Sequence, residues 1–404
     1  MKQNLVVIGN GMAGMRTVEE VLAAAPERYQ ITVFGAEPYG NYNRIMLSSV
    51  LAGDKAIDDI FINNRQWYAE HNITLHAGAD KTVVRIDRKH RKVYAQDGTV
   101  AAYDRLLIAT GSKAAIADVP GNTLTGVISF REIFDVHKML DYANSHRHAV
   151  VVGGGLLGLE AANGLRQRGM DVTVIHNNAV LLNRQLDSHA AKMLQAALEQ
   201  RGLKFKMAAK MSRLSGDALG HINAVHCQDG STLACDLLVM AVGVRPNMAL
   251  AQQAGLYCEQ GIVVNDTLQT YDPRIYAVGE CIQHRGDTFG LVAPLFAQAK
   301  VCANHLSAHG VANYLRLPTA TQLKVTGIQL FSVGDFMGDE HTQSLCFTDT
   351  ALGVYKKIVL KADRLVGAVL YGDTTDGHWY QTLLEQQVPI AAMRDRLVFG
   401  QAFV

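Results

Sequence analysis

A glycine motif occurs twice in this chain in the same surroundings, and that repetition constrains the fold more than any other feature. The apolar, β-branched run Leu5–Ile8 leads into Gly9-Asn-Gly11-Met12-Ala13-Gly14, then a helical pattern (Met15, Val18, Val21, Leu22) and a second strand-like run, Ile31–Phe34. The same order returns at Ala149–Val152, Gly153-Gly-Gly155-Leu156-Leu157-Gly158, Leu159–Leu165 and Asp171–Ile175. Each copy reads strand, G-x-G-x-x-G, helix, strand, which is the pattern of a Rossmann-type βαβ unit. The first glycine permits the tight turn, the second lets a pyrophosphate reach the backbone, and the third lets helix and strand pack closely. The N–H groups of Met12 and Ala13, and of Leu156 and Leu157, open the two helices and offer phosphates the positive end of the helix dipole. One such motif is a weak signal. Two in matching context, a folded-domain length apart, predict an α/β protein with two Rossmann-like dinucleotide-binding domains.

Composition sets the outer bounds. At 404 residues the chain has room for two or three domains. A hydrophobic content of 49% with 19% charged residues is that of an ordinary globular protein. A formal net charge of +1 gives no general attraction to nucleic acid or anionic lipid, and neither is expected as a partner. No apolar run approaches the ~20 residues that span a bilayer. Residues 1–10 run straight into the glycine motif as a first strand rather than a signal peptide, so a cytoplasmic location is expected. The six cysteines (Cys227, Cys235, Cys258, Cys281, Cys302, Cys346) form no C-x-C or C-x-x-C pair. That argues against a disulfide framework, an iron–sulphur site or a zinc ribbon. Cys281-x-x-His284 lacks a second pair and reads as a small buried thiol, so no metal site is expected.

A carboxylate about 20 residues beyond each motif would bind ribose hydroxyls. In the first copy Gly35 occupies the usual place and Glu37 is the nearby acid, assigned to the adenosine ribose. In the second copy the strand ends Ile175-His176-Asn-Asn178, with neither acid nor arginine, so NADH and NADPH both stay open. His176 has three readings: a hydrogen-bond partner of the ribose, an attraction for a 2′-phosphate when protonated, or a surface histidine capping the strand.

The two units, in this order, resemble the glutathione-reductase-type two-dinucleotide-binding flavoproteins. Leu106-Leu-Ile-Ala-Thr110-Gly111 is similar to the strand and turn that end the family's first FAD segment. Ala241-Val-Gly243-Val-Arg-Pro-Asn247 resembles the crossing back from the NAD domain. Ile275-Tyr-Ala-Val-Gly279-Glu280-Cys281 resembles the second FAD signature, whose acid binds the ribityl chain. The family usually has Asp there; Glu280 is one methylene longer, and its plain alternative is a strand-end charge. Glu160 resembles the family glutamate that meets the nicotinamide carboxamide, the alternative being a helix-surface acid. Gly290–Pro294, with Val292 and Ala293, falls by resemblance near the pyrimidine side of the flavin, or is simply the loop entering a helix. The resemblance implies FAD and NADH (or NADPH) as cofactors. Hydride would pass from nicotinamide to flavin with no catalytic side chain of the protein's own.

Cysteine positions choose a branch. Disulfide reductases carry C-x4-C after the first strand pair and the peroxidase–oxidase branch a single cysteine, but here none precedes Cys227. No thiol is thus expected to relay electrons. The stretch Pro38–Ser49, with Tyr42, Arg44 and Ser48, is similar to the P-x3-Y-x-R-x2-L-S segment of ferredoxin-, rubredoxin- and nitrite-reductase-type flavoproteins. Arg44 is thereby a candidate for the FAD pyrophosphate, where a guanidinium fork suits phosphate oxygens, and Ser48 falls in the same FAD-binding segment. Thr321–Asp335, Tyr371–Trp379 and Arg394–Gln401 resemble the flavoprotein part of the NAD(P)H nitrite reductase large subunit and the electron-transfer subunit of assimilatory nitrate reductase. The large subunits continue into a [2Fe–2S] module and a sirohaem region. This chain ends at Val404 and is expected not to reduce nitrite unaided. The implied partner is an iron–sulphur-containing nitrate or nitrite reductase subunit. The alternatives are a small iron–sulphur carrier, as for rubredoxin or ferredoxin reductases, or oxygen, as for an NADH oxidase. The expected domains are 1–112 with 245–320 for FAD, 113–244 for NAD(P), and a smaller α+β C-terminal domain, 321–404. The last is read from the runs Tyr355–Leu360 and Arg364–Leu370, joined by a turn at Asp363-Arg364.

Overall fold

The computed structural model describes residues 2–316, 320–325 and 327–404. Residues 317–319, at the expected end of the FAD domain, and Thr326, within the C-terminal segment singled out above, lie outside the described residues. The chain divides into two compact units. The first takes the segment up to Met46 with Ala56–Lys113 and Val244–Arg316; the second takes Leu47–Lys55, Ala114–Gly243 and the chain beyond Arg316.

The first unit is built on a parallel five-stranded sheet in the order Ile275–Ala277, Arg105–Ile108, Gln3–Ile8, Tyr29–Gly35, Thr74–Ala77. Its strands are near-continuous apolar runs because a parallel sheet is covered on both faces. Leu5, Val7, Leu106, Leu107, Ile108, Ile275 and Ala277 have no exposure. Helices Met12–Ala24 and Val292–Leu306 pack on one another beside it.

The second unit repeats the plan, with a parallel sheet in the order Val127–Ser129, Leu237–Met240, His148–Val152, Asp171–Ile175, Lys204–Lys206. In both units the strand that precedes the glycine motif is central. An antiparallel meander, Met211–Gly216, Ile222–Cys227 and Thr232–Ala234, packs Leu214 and Val225 against Val150 and Met240. The C-terminal part of this unit is an antiparallel five-stranded sheet ordered Thr321–Val325, Ile328–Gly334, Arg364–Tyr371, Val354–Lys361, Gln343–Asp349. Helix Gly377–Glu385 covers one face through Tyr380, Leu383 and Leu384. The hairpin turn lies one residue earlier than expected: Lys361 pairs with Arg364, and Ala362 and Asp363 both take positive φ, 46° and 54°. That is the signature of a two-residue turn whose twist matches its strands.

Two placements depart from the expected boundaries. Helix Leu47–Ala52, expected in the FAD domain, belongs to the second unit because it seats on helix Leu156–Gln167. A Cβ on Gly164 would meet Leu51 at 2.8 Å. Arg168 also closes the short helix by donating to the Leu51 and Val50 carbonyls at 2.6 and 3.1 Å. The C-terminal sheet, expected as a separate domain, is tied to helix Ser188–Gln200. The Tyr355 hydroxyl donates at 2.6 Å to Asp187, the same carboxylate that caps this helix by accepting the Ala190 N–H at 3.0 Å. Among the described residues no helix is long and apolar enough to cross a membrane.

Candidate functional site

In the first unit, Gly9 and Gly14 are closed in by backbone and Gly11 is not. Gly9 has φ +117°, and a Cβ there would lie 2.0 Å from the Ala109 carbonyl oxygen; one on Gly14 would lie 2.6 Å from the Gly9 oxygen. Nothing stands within 4 Å of a Cβ on Gly11. Gly11 opens helix Met12–Ala24 in extended conformation, with no side-chain cap and no acid in the first turn. The leading N–H groups of Met12, Ala13 and Gly14 therefore have no partner within the helix, and the place beside Gly11 where a Cβ would stand is open. A glycine loop and helix start of this shape make a cradle that suits an anion.

Around it, Glu37 and Arg44, expected on the ribose and the pyrophosphate respectively, are brought together: Arg44 Nη2 donates to Glu37 Oε1 at 2.5 Å. The Tyr42 hydroxyl donates to the other carboxylate oxygen at 2.7 Å, and the guanidinium lies over the Tyr42 ring. Gly35 stands where an acid is usual because Asn10 fills that place, 2.8 Å from a Cβ. Asn10 is itself held by the Tyr68 hydroxyl at 2.6 Å. Thr110 and Gly111 are pinned to Asn247, the Thr110 hydroxyl donating to its carbonyl at 2.6 Å and the Asn247 N–H donating to Gly111 O at 2.9 Å. Gly279 takes φ +95°, and Glu280 beyond it accepts from the buried Ser112 hydroxyl at 2.8 Å. Val292 and Ala293 are the first residues of helix Val292–Leu306, which has no side-chain cap.

The second unit repeats the cradle. Gly153 has φ +122° and its Cβ would come 2.2 Å from Ala241 O; one on Gly158 would come 2.0 Å from Gly153 O. Gly155, at the uncapped start of helix Leu156–Gln167, is again open, as is Gly243 at φ +107°. Leu156 and Leu157 supply the leading N–H groups. Residues 3–303 match the family described as pyridine nucleotide-disulphide oxidoreductase. The chain belongs to that family. A second match covers residues 319–388 and is described as the rubredoxin NAD+ reductase C-terminal domain. Over 96% of its length the chain is 45% identical to the nitrite reductase [NAD(P)H] of Bacillus subtilis, and over 98% it is 44% identical to that organism's assimilatory nitrate reductase electron transfer subunit. It covers 48% and 51% of those proteins, so it spans about half the length of the curated relatives it matches. Among solved structures, the NADH:rubredoxin oxidoreductase of Clostridium acetobutylicum superposes with a TM-score of 0.80 at 25% identity, covering 99% of both chains.

A pyridine nucleotide-disulphide oxidoreductase is an NAD(P)H-dependent enzyme with FAD and a nicotinamide dinucleotide as cofactors. Two cradles with room at Gly11 and Gly155 fit two pyrophosphates. Ser48, expected on the FAD side, is a partner of Glu160, to which its hydroxyl donates. Desolvation pushes the Glu160 carboxyl up to about 7, with the Ser48 bond opposing. His176 is 8% exposed, which overturns its reading as a surface histidine. Its Nδ1 accepts the Gly154 N–H at 3.1 Å, and burial lowers its pKa. The ring is therefore neutral, with its proton on Nε2, and offers a 2′-phosphate no charge. Cys281 and His284 do not converge: the thiol is fully buried, pushed up to about 11, and His284 bonds Asp266 at 2.8 Å. Sequence reading gave no role of their own to Tyr42, Ser112 or Asn247, although each lies in or beside a segment already singled out. Ser112 and Asn247 gain theirs from contacts with Glu280 and Thr110, more than a hundred residues away, and Tyr42 from Glu37, five residues before it.

Proposed function

We propose that this chain is the FAD-containing, NAD(P)H-dependent electron-transfer component of an assimilatory nitrate or nitrite reductase, working in the cytoplasm. The paired loop geometry carries the proposal: at Gly11 and Gly155 an uncapped helix start faces open space, while the flanking glycines are closed by backbone. Bound FAD would supply the chemistry that matches a two-electron hydride donor to a one-electron iron–sulphur acceptor.

The chain's own residues bind and orient. The N–H groups of Met12, Ala13 and Gly14 would take the FAD pyrophosphate, with Arg44 near by. Glu37, steadied by Tyr42 and Arg44, would accept from the adenosine ribose, and Glu280, steadied by Ser112, from the ribityl hydroxyls. Thr110, Gly111, Gly279, Val292 and Ala293 would shape the flavin side. Leu156, Leu157 and Gly158 would take the second pyrophosphate, with Gly243 leaving room and His176 holding the loop through its bond with the Gly154 N–H. Glu160, half protonated near neutrality, presents both a donor and an acceptor to a carboxamide.

The relatives named nitrite reductase and nitrate reductase electron transfer subunit support an iron–sulphur-containing reductase as the acceptor. The match of residues 319–388 supports a second reading, transfer to a small iron–sulphur carrier. Purified protein should be yellow, release one non-covalent FAD on unfolding, and drive NADH-dependent nitrate loss with a nitrate reductase catalytic subunit. A flavin-free protein that FAD does not reconstitute would sink both readings. Rapid reduction of rubredoxin or ferredoxin, with none of nitrate or nitrite reductase, would establish the second. NADH consumption matched by peroxide or water, with no partner present, would make it an oxidase instead.

A further inference from the structure

Helix Val292–Leu306 turns an apolar stripe, including Leu295, Ala299, Cys302 and Leu306, into the core of the first unit. One polar side chain stands in that stripe. Gln298 has no exposure, and an amide in such a place costs free energy unless it is bonded. Its Oε1 accepts the Gly279 N–H at 2.9 Å. Its Nε2 is buried without a hydrogen bond of standard geometry, beside Tyr314, whose hydroxyl interacts with the Gln298 side chain. Gly279 lies against the first turn of the phosphate-loop helix, a Cβ there coming 3.1 Å from the Ala13 Cβ. The next residue is Glu280, which Ser112 holds at 2.8 Å. An apolar side chain of the same volume would fill the stripe, so packing alone does not call for an amide. What the amide adds is a fixed Gly279 N–H.

We infer that Gln298 is a positioning residue of the flavin site: by holding the Gly279 N–H it presets the turn that carries Glu280 to the ribityl chain. The inference rests on reading Gly279-Glu280 as the ribityl segment. Apparent affinity is the intrinsic affinity scaled by the fraction of protein in the competent conformation. A turn released from Gln298 therefore binds FAD more weakly, although no group that meets the cofactor has changed.

The test compares Gln298→Met and Gln298→Glu with Gln283→Met. Gln283 is a matched control: buried, with its Oε1 accepting a backbone N–H, that of Gln260, at 2.8 Å. The readouts are the Kd for FAD on reconstituting apoprotein, the fine structure of the flavin absorption band, and the apoprotein melting temperature. Gln298→Met is expected to weaken FAD about 10- to 100-fold, because a buried N–H is left unsatisfied, and to blur the flavin band. Gln298→Glu, which keeps an acceptor oxygen, should recover most of that affinity at pH 6. Gln283→Met should lower the melting temperature and leave the Kd unchanged. If Gln298→Met lowers the melting temperature as the control does, but leaves the Kd within about threefold, the role is structural only and the inference falls. Should Gln298→Met not fold, Gln298→Asn, which withdraws the amide by one methylene, carries the same expectation and the same refutation. A wild-type chain that binds no FAD overturns the functional reading and this inference together; unchanged affinity in the variants overturns this inference alone.

Discussion

Glu160 sits one turn into the second phosphate-loop helix, where the dipole ordinarily favours a carboxylate. Desolvation outweighs it there and pushes the carboxyl from 4.5 up to about 7, against the hydrogen bond from Ser48. A folded-state value above the unfolded one means that the fold prefers the protonated form. The resulting stability is fully present below about pH 4.5 and is lost as the pH rises through about 7. Its size is on the order of 2–3 kcal/mol. Glu160→Gln keeps the shape and removes the titration. The variant should match the wild type at pH 4.5 and exceed it by about 1–3 kcal/mol at pH 8, measured by urea unfolding at both values. Identical pH dependence in the two proteins would show that Glu160 is not desolvated. The pairing of Arg44 with Glu37 makes a related point: two residues assigned separately to pyrophosphate and ribose also hold each other in position.

At the scale of the element, the three glycines of each motif do different work, and substitution separates them. Gly155 is open and in extended backbone, φ −86°, which any residue adopts. Gly155→Ala should leave the unfolding free energy within about 1 kcal/mol, yet raise the Kd for NADH at least about tenfold, since the methyl stands where a pyrophosphate would approach. Gly158→Ala puts a Cβ 2.0 Å from a carbonyl oxygen and should lose about 1–3 kcal/mol or fail to fold. Calorimetry and NADH titration distinguish them; equal stability losses would mean that the loop geometry is wrong. Both motifs, their strands and their helices were legible in sequence because local periodicity and turn chemistry dictate them. The allegiance of helix Leu47–Ala52 was not. Only Gly164 and Arg168, more than a hundred residues on, determine what it packs against. The burial of His176 was hidden for the same reason, since it depends on Gly154 leaving room for a ring. The C-terminal hairpin was legible to within one residue, since alternation marks the strands more sharply than the turn.

At the scale of the whole molecule, the family is named for disulphides, yet no cysteine of this chain precedes Cys227. All six cysteines are free. Cys227, Cys235, Cys281 and Cys302 are buried, and burial pushes Cys235 up to about 12, Cys281 up to about 11 and Cys302 higher still. Half-buried Cys258 is raised in the same way. Thiol relays run through the thiolate, so Cys235, Cys258, Cys281 and Cys302 are inert at neutral pH. Cys346 is exposed, on the edge strand Gln343–Asp349 of the C-terminal sheet, with the Tyr355 hydroxyl 4.0 Å away and no second cysteine on that sheet. On the proposed function, electrons that enter from NAD(P)H would leave without passing through sulphur, as transfer to a docked one-electron acceptor requires. A variant with all six cysteines changed to Ala or Ser should therefore keep most of its NAD(P)H-to-ferricyanide activity. It should melt lower, since each buried replacement costs about 1 kcal/mol. The informative measurement is the rate of flavin reoxidation in each single variant. If one substitution abolishes reoxidation while the fold and flavin content survive, a thiol takes part after all, and the direct route to an iron–sulphur partner has to be abandoned.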